Sequence, residues 1–367
     1  MVNFFRKPLF DTPAWGLLIP LIAVGILFVV MGNELSGFGL TLVAIALVSA
    51  VLMAVHHAEV IALRVGEPFG TLVLALAVTI IEVSLIVTLM LSGGEAISAL
   101  ARDTVFATVM IVCNGVVGLC LLLGAWRHRV LVFRVDGTTP TLSVLATLAT
   151  LTLVLPKFTS STSGPTLTNT QLIFTGIVAL ILYAVFVFVL TIRHRENFLP
   201  PDHHDLEAEE GHPRPSVLAS IMSLTFLLVS LVAVVGLAKT LAPAIEAGVN
   251  AISAPLAVVG IAIAILVLLP ETLSAVRAAL RNRMQISFNL ALGSALATIG
   301  LTIPAVAITS LVLNLPLELG LPYKEISLLG LTMMISVMTL SRNNATVLQG
   351  TVHLVLFIVF LFLSIFP

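Results

Sequence analysis

Apolar positions run continuously along this chain instead of alternating or recurring every third or fourth residue. Eleven stretches are long enough to be read as membrane-spanning helices: 14–31, 38–55, 69–92, 104–124, 141–156, 171–192, 216–238, 255–279, 286–313, 326–341 and 346–366. The fifth and tenth are the shortest. Apolar runs of this length lack the period-two pattern of a lipid-facing β-barrel. Together they predict an all-α polytopic membrane protein.

Composition points the same way. Of 367 residues, 59% are hydrophobic and 10% charged. Soluble domains carry about 25% charged residues, so these side chains have lipid as their natural solvent. The formal net charge of −1 gives a nucleic-acid partner no electrostatic footing. The two cysteines, Cys113 and Cys120, lie on one helical face about 10 Å apart, too far for a disulfide, and read as small packing residues. The first apolar run has no A-x-A cleavage site, so it is read as a spanning helix and not a removed signal peptide.

The basic residues orient the helices. With the N-terminus in the cytoplasm, the inner side receives Arg6, Lys7, Arg64, Arg127, Arg129, Arg134, Arg193, Arg195, Arg214, Arg277, Arg281, Arg283 and Arg342. The outer side receives Arg102, Lys157, Lys239 and Lys324. Thirteen of the 17 Lys and Arg residues therefore fall inside, predicting a cytoplasmic N-terminus and an external C-terminus. The segment 193–215 is acidic and His-rich, with Asp202, His203, His204, Asp205, Glu207, Glu209, Glu210 and His212. It divides the chain into an N-terminal helix (1–36), a first five-helix repeat (37–192), this cytoplasmic loop, and a second five-helix repeat (216–367). Five is odd, so homologous halves would be inserted in opposite orientations, as in many secondary transporters.

Two carboxylates break the apolar pattern. Glu82 lies about twelve residues, or roughly 18 Å, beyond Gly70 in the third stretch, and Glu271 lies near the middle of the eighth. Charge there costs at least about 2.5–3.5 kcal/mol, and no lysine or arginine shares their depth on those helices. Each must be protonated, face a cation, or line a water-filled cavity. Each is also in the second helix of its five, so the symmetry predicts that the two converge from antiparallel helices at the repeat interface. Pro270 removes a hydrogen bond and releases a carbonyl near Leu266, which serves a cation site or a plain kink equally well. Thr79, Ser84 and Ser274 lie within a turn of the glutamates and could complete an oxygen shell for Ca²⁺ or Na⁺, although membrane helices also use such hydroxyls for packing. Asn114 and Ser294 are further candidate ligands on the helices that follow, where Gln285 and Asn289 also occur; Gly293 reads as a close-approach position. Asp103, His353, and Asp202, Asp205 and Glu209 of the loop are candidates for a proton path or regulation. His56, His57 and Glu59 mark a possible cytoplasmic proton entry.

The GEPFG segment (Gly66, Glu67, Pro68 and Gly70), the helix bearing Glu82, and the run from Pro270 to Gly300 resemble the two α-repeats of the calcium/cation antiporter superfamily. The Ca²⁺/H⁺ exchanger branch is the nearer match, and within it the bacterial ChaA-type cation/proton antiporters. In that branch a Gly-Asn-Ala-x-Glu motif recurs in each repeat, and its glutamates match Glu82 and Glu271. Arg281, Asn282, Arg283 and Met284 match the basic stretch after the second motif, and Gly293 and Ser294 a later Gly-Ser. Here Gly-Asn-Ala is replaced by Val78-Thr79-Ile80 and by Val267-Leu268-Leu269, and the usual glutamine by Ala297. The neutral oxygens are thinned while both carboxylates remain, which argues against a site selective for Ca²⁺ alone. The resemblance implies exchange of Ca²⁺, Na⁺ or K⁺ for H⁺ across the cytoplasmic membrane of a prokaryote, with no cofactor. The alternative from another class is a channel or uncoupled uniporter using the same acidic pair. No H-E-x-x-H or G-x-S-x-G pattern supports an enzyme. The sequence assigns no oligomeric state.

Overall fold

The computed structural model describes residues 8–9, 12–33, 36–66, 69–92, 98–198, 215–251, 255 and 257–366; at 8–9, 12–13, 69–72, 74–75, 92, 246 and 249–251 only the backbone is described. Among these residues the chain forms eleven apolar helices: α1 Ala14–Val30, α2 Gly37–Val65, α3 Phe69–Ser92, α4 Leu100–His128, α5 Val135–Lys157, α6 Asn169–Arg193, α7 Val217–Ala251, α8 Ala257–Leu280, α9 Met284–Leu313, α10 Tyr323–Leu340 and α11 Val347–Ile365. Nine contain spans long and apolar enough to cross a membrane; Ala14–Val30 and Leu76–Leu91 are shorter apolar segments. The protein is an all-α polytopic membrane protein. Outward faces carry large apolar side chains, such as Phe174 on α6 and Ile358 on α11, as lipid contact requires.

The helix ends follow local chemistry. Ser36 caps α2 through the Gly39 amide, and capping boxes pair Thr168 with Gln171 and Thr346 with Gln349 at the starts of α6 and α11. Hydropathy misjudged several boundaries. α2 continues past the expected end at 55, carrying His56, His57, Glu59 and Arg64. α5 starts at Val135 and not at 141, because Thr138 hides its polarity by donating to the Leu340 carbonyl at 2.9 Å. α7 runs to Ala251, so Lys239, expected in an outer loop, lies within a helix with its side chain exposed.

The chain divides into two compact units, and each takes helices from both sequence halves. The first contains α1, α2, α3 and α7. Here α2 and α7 pack through small residues, including Ala46, Ala50 and Ala54 of α2 and Ala233 and Ala242 of α7, all buried. They run antiparallel, since Arg64 reaches the Pro215 carbonyl while His57 stacks on Phe226. His57 is fully buried, with Nε2 2.9 Å from the Gly16 carbonyl, which gives it a structural task holding α1 to α2.

The second unit contains α4, α5, α6 and α8 to α11. Its centre is α4, of whose most apolar stretch 83% is buried. α11 crosses α4 antiparallel at two glycines. A Cβ on Gly118 would lie 2.9 Å from His353 Cβ, and one on Gly350 would lie 2.5 Å from the Leu122 amide nitrogen. A short antiparallel pair, Leu131–Val132 with Asn344–Ala345, joins the turns that follow α4 and α10. Helix directions alternate as successive membrane crossings demand. α5 opposes α10 (Thr138 to Leu340, Leu153 to Leu321) and α6 opposes α9 (Gly176 to Pro304, Tyr183 to Gly300). α4 and α8 run parallel, because Gly260 lies on Thr104 and His128 meets Leu280. Within this unit, Arg127, Arg129, Arg134, Arg193, Arg195, Arg277, Arg281, Arg283 and Arg342 therefore share one end, while Arg102, Lys157 and Lys324 share the other. Cys113 and Cys120 are buried free thiols.

Among the described residues, four helices contain a π turn that the sequence did not announce: 111–116 in α4, 150–154 in α5, 189–193 in α6 and 298–302 in α9.

Candidate functional site

The candidate residues fall into two groups, one in each unit. In the first unit Glu82 sits near the middle of α3 and is 2% exposed. Thr79, one turn earlier, is also buried, and Ser84 is half-buried. The Ser84 carbonyl accepts a 2.6 Å bond from Thr88 Oγ1. Gly66 closes α2 with φ of 78°, where a side chain would be strained, and its N–H bonds the Ala62 carbonyl. Its role is to stop the helix. Gly70 belongs to the first turn of α3. Glu67 and Pro68 lie outside the described residues, as do Asp202, Asp205 and Glu209.

In the second unit Glu271 sits past the middle of α8, half-buried, with Pro270 before it inside a continuous helix and half-buried Ser274 one turn on. The parallel packing of α8 on α4 fixes its depth. Counting equally from the Gly260–Thr104 contact places Glu271 level with Gly115, next to Asn114 and inside the α4 π turn. The later contact of Gly124 with the Ala279 carbonyl fits this register once the π turn absorbs the one extra residue α4 carries, and the His128 side chain reaches back to the Leu280 carbonyl from further along α4. π turns widen a helix locally and release backbone groups, and they recur at functional sites.

Asn114 is fully buried and central to a polar network across three helices. Its Nδ2 donates to Thr332 Oγ1 of α10 at 2.9 Å, and its Oδ1 is 3.3 Å from Nδ1 of His353 on α11. His353 Nε2 is 3.1 Å from Thr339 Oγ1. The sequence singled out Asn114 and His353 separately, as a ligand and a relay, and the structure brings them together. It missed Thr332 and Thr339. The signal was present: Thr332, Ser336 and Thr339 follow i, i+4, i+7 spacing on an otherwise apolar helix, and all three are buried. In hydrocarbon such hydrogen bonds are worth about 1 kcal/mol each, and a carboxamide held this way ties the π turn of α4 to α10 and α11.

Other candidates separate from these two groups. Asp103 is held by Arg102, whose Nε donates to its carboxylate at 2.8 Å while Nη1 reaches the Gly320 carbonyl. That cluster ties the start of α4 to the chain before α10. Gln285 and Asn289 hydrogen-bond each other, the Arg134 amide and the Phe198 carbonyl, which is a structural tie. Ser294 and Gly293 are half-buried on an otherwise buried stretch of α9. The expected close approach at Gly293 is not what the structure shows: among the described residues, a Cβ there would meet nothing within 4 Å. Tight glycines lie elsewhere, among them Gly118, Gly137, Gly236, Gly300, Gly320 and Gly350, which hydropathy could not distinguish from any other small residue.

Comparison with known proteins gives this geometry its setting. The chain is 45% identical over 365 residues to the putative ionic transporter y4hA of Sinorhizobium fredii, covering 97% of both chains. It is 32% identical over 349 residues to the sodium-potassium/proton antiporter ChaA of Escherichia coli, covering 94% of both. Its fold resembles that of native YfkE, with a TM-score of 0.72 at 14% identity, covering 96% of this chain and 100% of that one. The model of the sodium/calcium exchanger protein family matches residues 35–192 and 222–366. The chain belongs to the sodium/calcium exchanger family and is a membrane transporter.

Proposed function

We propose that this chain is a secondary active cation/proton antiporter of a bacterial cytoplasmic membrane, with Glu82 and Glu271 taking cations and protons in alternation. The observation that carries the reading is a carboxylate in the middle of a membrane helix in each unit, with Glu82 2% exposed. Bare charge at such depth is costly, so each carboxylate stays neutralised by a proton or a metal ion. Competition for the same oxygens couples the two fluxes. Ca²⁺ balances two carboxylates, as do two protons, and Na⁺ or K⁺ balances one with the other protonated. The neutralised states cross between inward and outward access, and the doubly ionised state does not.

Further support comes from the relative in Escherichia coli named a sodium-potassium/proton antiporter. The two family-matched segments flank the acidic loop, and α4 and α9, the third helices of the two expected repeats, each contain a π turn near the middle. The Arg-rich ends of α4, α6 and α8 face the cytoplasm in this reading, with the N-terminus inside.

Everted vesicles energised to an acidic interior and read with a pH-sensitive dye test it. Adding NaCl, KCl or CaCl₂ is expected to alkalinise the interior only where the protein is present. Cation uptake without proton movement would replace exchange by a channel or uniporter.

A further inference from the structure

The C-terminal ends of α4 and α8, held together by His128 Nε2 at 3.0 Å from the Leu280 carbonyl, enclose more than a helix contact. Beside them lies a cavity of about 610 Å³ lined by Arg127, His128, Arg277, Leu280, Arg281 and Arg283. Among the described residues no aspartate or glutamate lines it. Three arginines elsewhere are engaged, Arg102 with Asp103, Arg134 with the Glu196 carbonyl and Arg64 with the Pro215 carbonyl, while others stand singly at the helix ends. The side chains of Arg127, Arg277 and Arg281 make no such bond among the described residues. Helix C-termini attract cations, which accounts for some basic residues here but not for a cavity walled by four guanidinium groups.

The fold builds this concavity deliberately. Asn282 adopts a left-handed conformation at φ of 61°, which lets the chain turn within three residues from α8 into α9 and sets Arg281 and Arg283 on either side of the turn. Arg129, at φ of 66°, ends α4 in the same manner. Guanidinium forks match the oxygens of a phosphate group in paired hydrogen bonds. The residues that flank Arg127 and His128 along the chain indicate where that phosphate comes from. Trp126, immediately before Arg127, is 79% exposed, and Val130 and Val132 in the following turn are 49% and 56% exposed. An exposed tryptophan beside arginines at the end of a membrane helix is the arrangement of the lipid–water interface, where basic pockets between helices hold anionic headgroups.

We propose that this cavity binds the phosphate of an anionic phospholipid headgroup, gripped by Arg127, Arg277 and Arg281, with the acyl chains running past Trp126. Arg277 is on the helix that carries Glu271 and Arg281 directly follows that helix, so lipid occupancy bears directly on the helix at the centre of the proposed exchange; the binding itself does not depend on that exchange.

The chain has two tryptophans, Trp15 and Trp126, so in a Trp15→Phe background the emission reports on Trp126 alone. The full-length protein is reconstituted in phosphatidylcholine, and a fraction of the lipid is replaced by brominated phosphatidylglycerol or, in parallel, by brominated phosphatidylcholine. Each arginine near the surface strengthens anionic-lipid binding about fivefold. Quenching is expected to show at least about a tenfold preference for phosphatidylglycerol, falling to near unity in Arg277→Gln/Arg281→Gln. The Arg277→Lys/Arg281→Lys protein, which keeps the charge, is expected to retain part of the preference and shows that the loss is not misfolding. Equal quenching by the two lipids overturns the proposal. So does a preference that survives the double glutamine change. Inorganic phosphate at 10 mM serves as the soluble competitor: if it erases the preference, the site belongs to a free anion and the lipid assignment fails.

Discussion

Glu271→Gln is expected to reduce cation-driven proton movement in everted vesicles to the level of vesicles lacking the protein, and Glu82→Gln is expected to do the same. Glutamine keeps the size and one carbonyl oxygen of the side chain but removes the charge and the titratable proton. A carboxylate oxygen about 2.4 Å from a metal ion contributes several kcal/mol of Coulomb attraction even at an effective dielectric of about 20. The remaining carboxylate and a few hydroxyls do not replace it, so cation affinity falls by at least about a hundredfold. The proton limb fails as well, since glutamine has no proton to exchange. Glu271→Asp retains charge and proton but withdraws the oxygens by one methylene, so partial exchange with a raised cation requirement is expected. Normal exchange by either glutamine variant would remove that carboxylate from the mechanism. Ser274→Ala should have a much smaller effect, because it removes one neutral oxygen.

Gly350→Val is expected to prevent the second unit from folding. A Cβ at this position would lie 2.5 Å from the Leu122 amide nitrogen and 2.9 Å from Leu122 Cα. Both are backbone atoms of α4, which cannot rotate away as a side chain can. Relief requires α11 to move off α4, and that movement breaks the His353–Asn114 bond one turn away. Overpacking in a rigid core typically costs about 1–3 kcal/mol, and lost interhelical hydrogen bonds add about 1 kcal/mol each. The expected readout is loss of the monodisperse peak on detergent size-exclusion chromatography. Gly293→Val, at a glycine with open space around it, is the matched control and should leave that peak unchanged. If Gly350→Val purified normally with unaltered thermal stability, the α4–α11 crossing described above would be wrong.

Much of the architecture was legible from hydropathy because lipid imposes a single rule: the backbone must satisfy itself within helices. The number of helices and their alternating directions followed from that rule. Boundaries were less legible where polar residues remain helical by bonding within the bundle, as at Thr138 and His57. The glutamates stood out because a carboxylate in an apolar run has no structural excuse. The π turns did not, since nothing in the composition of IVCNGV or TIGLT separates a widened turn from a regular one. Nor did the division into units, which pairs α7 with α1, α2 and α3 and sends α8 to α4. Such pairings depend on which small residues face each other, and Gly118, Gly260 and Gly350 acquire meaning only once their neighbours are known.

The central claim is that the same carboxylates hold either protons or cations. The most direct test measures proton release when cation is added to the purified, weakly buffered protein in detergent, without any membrane or gradient. Protons displaced by Ca²⁺, Na⁺ or K⁺ should appear in saturable proportion to protein, and the signal should vanish in Glu82→Gln/Glu271→Gln. Cation binding with no proton release, or release that persists in the double variant, would contradict it.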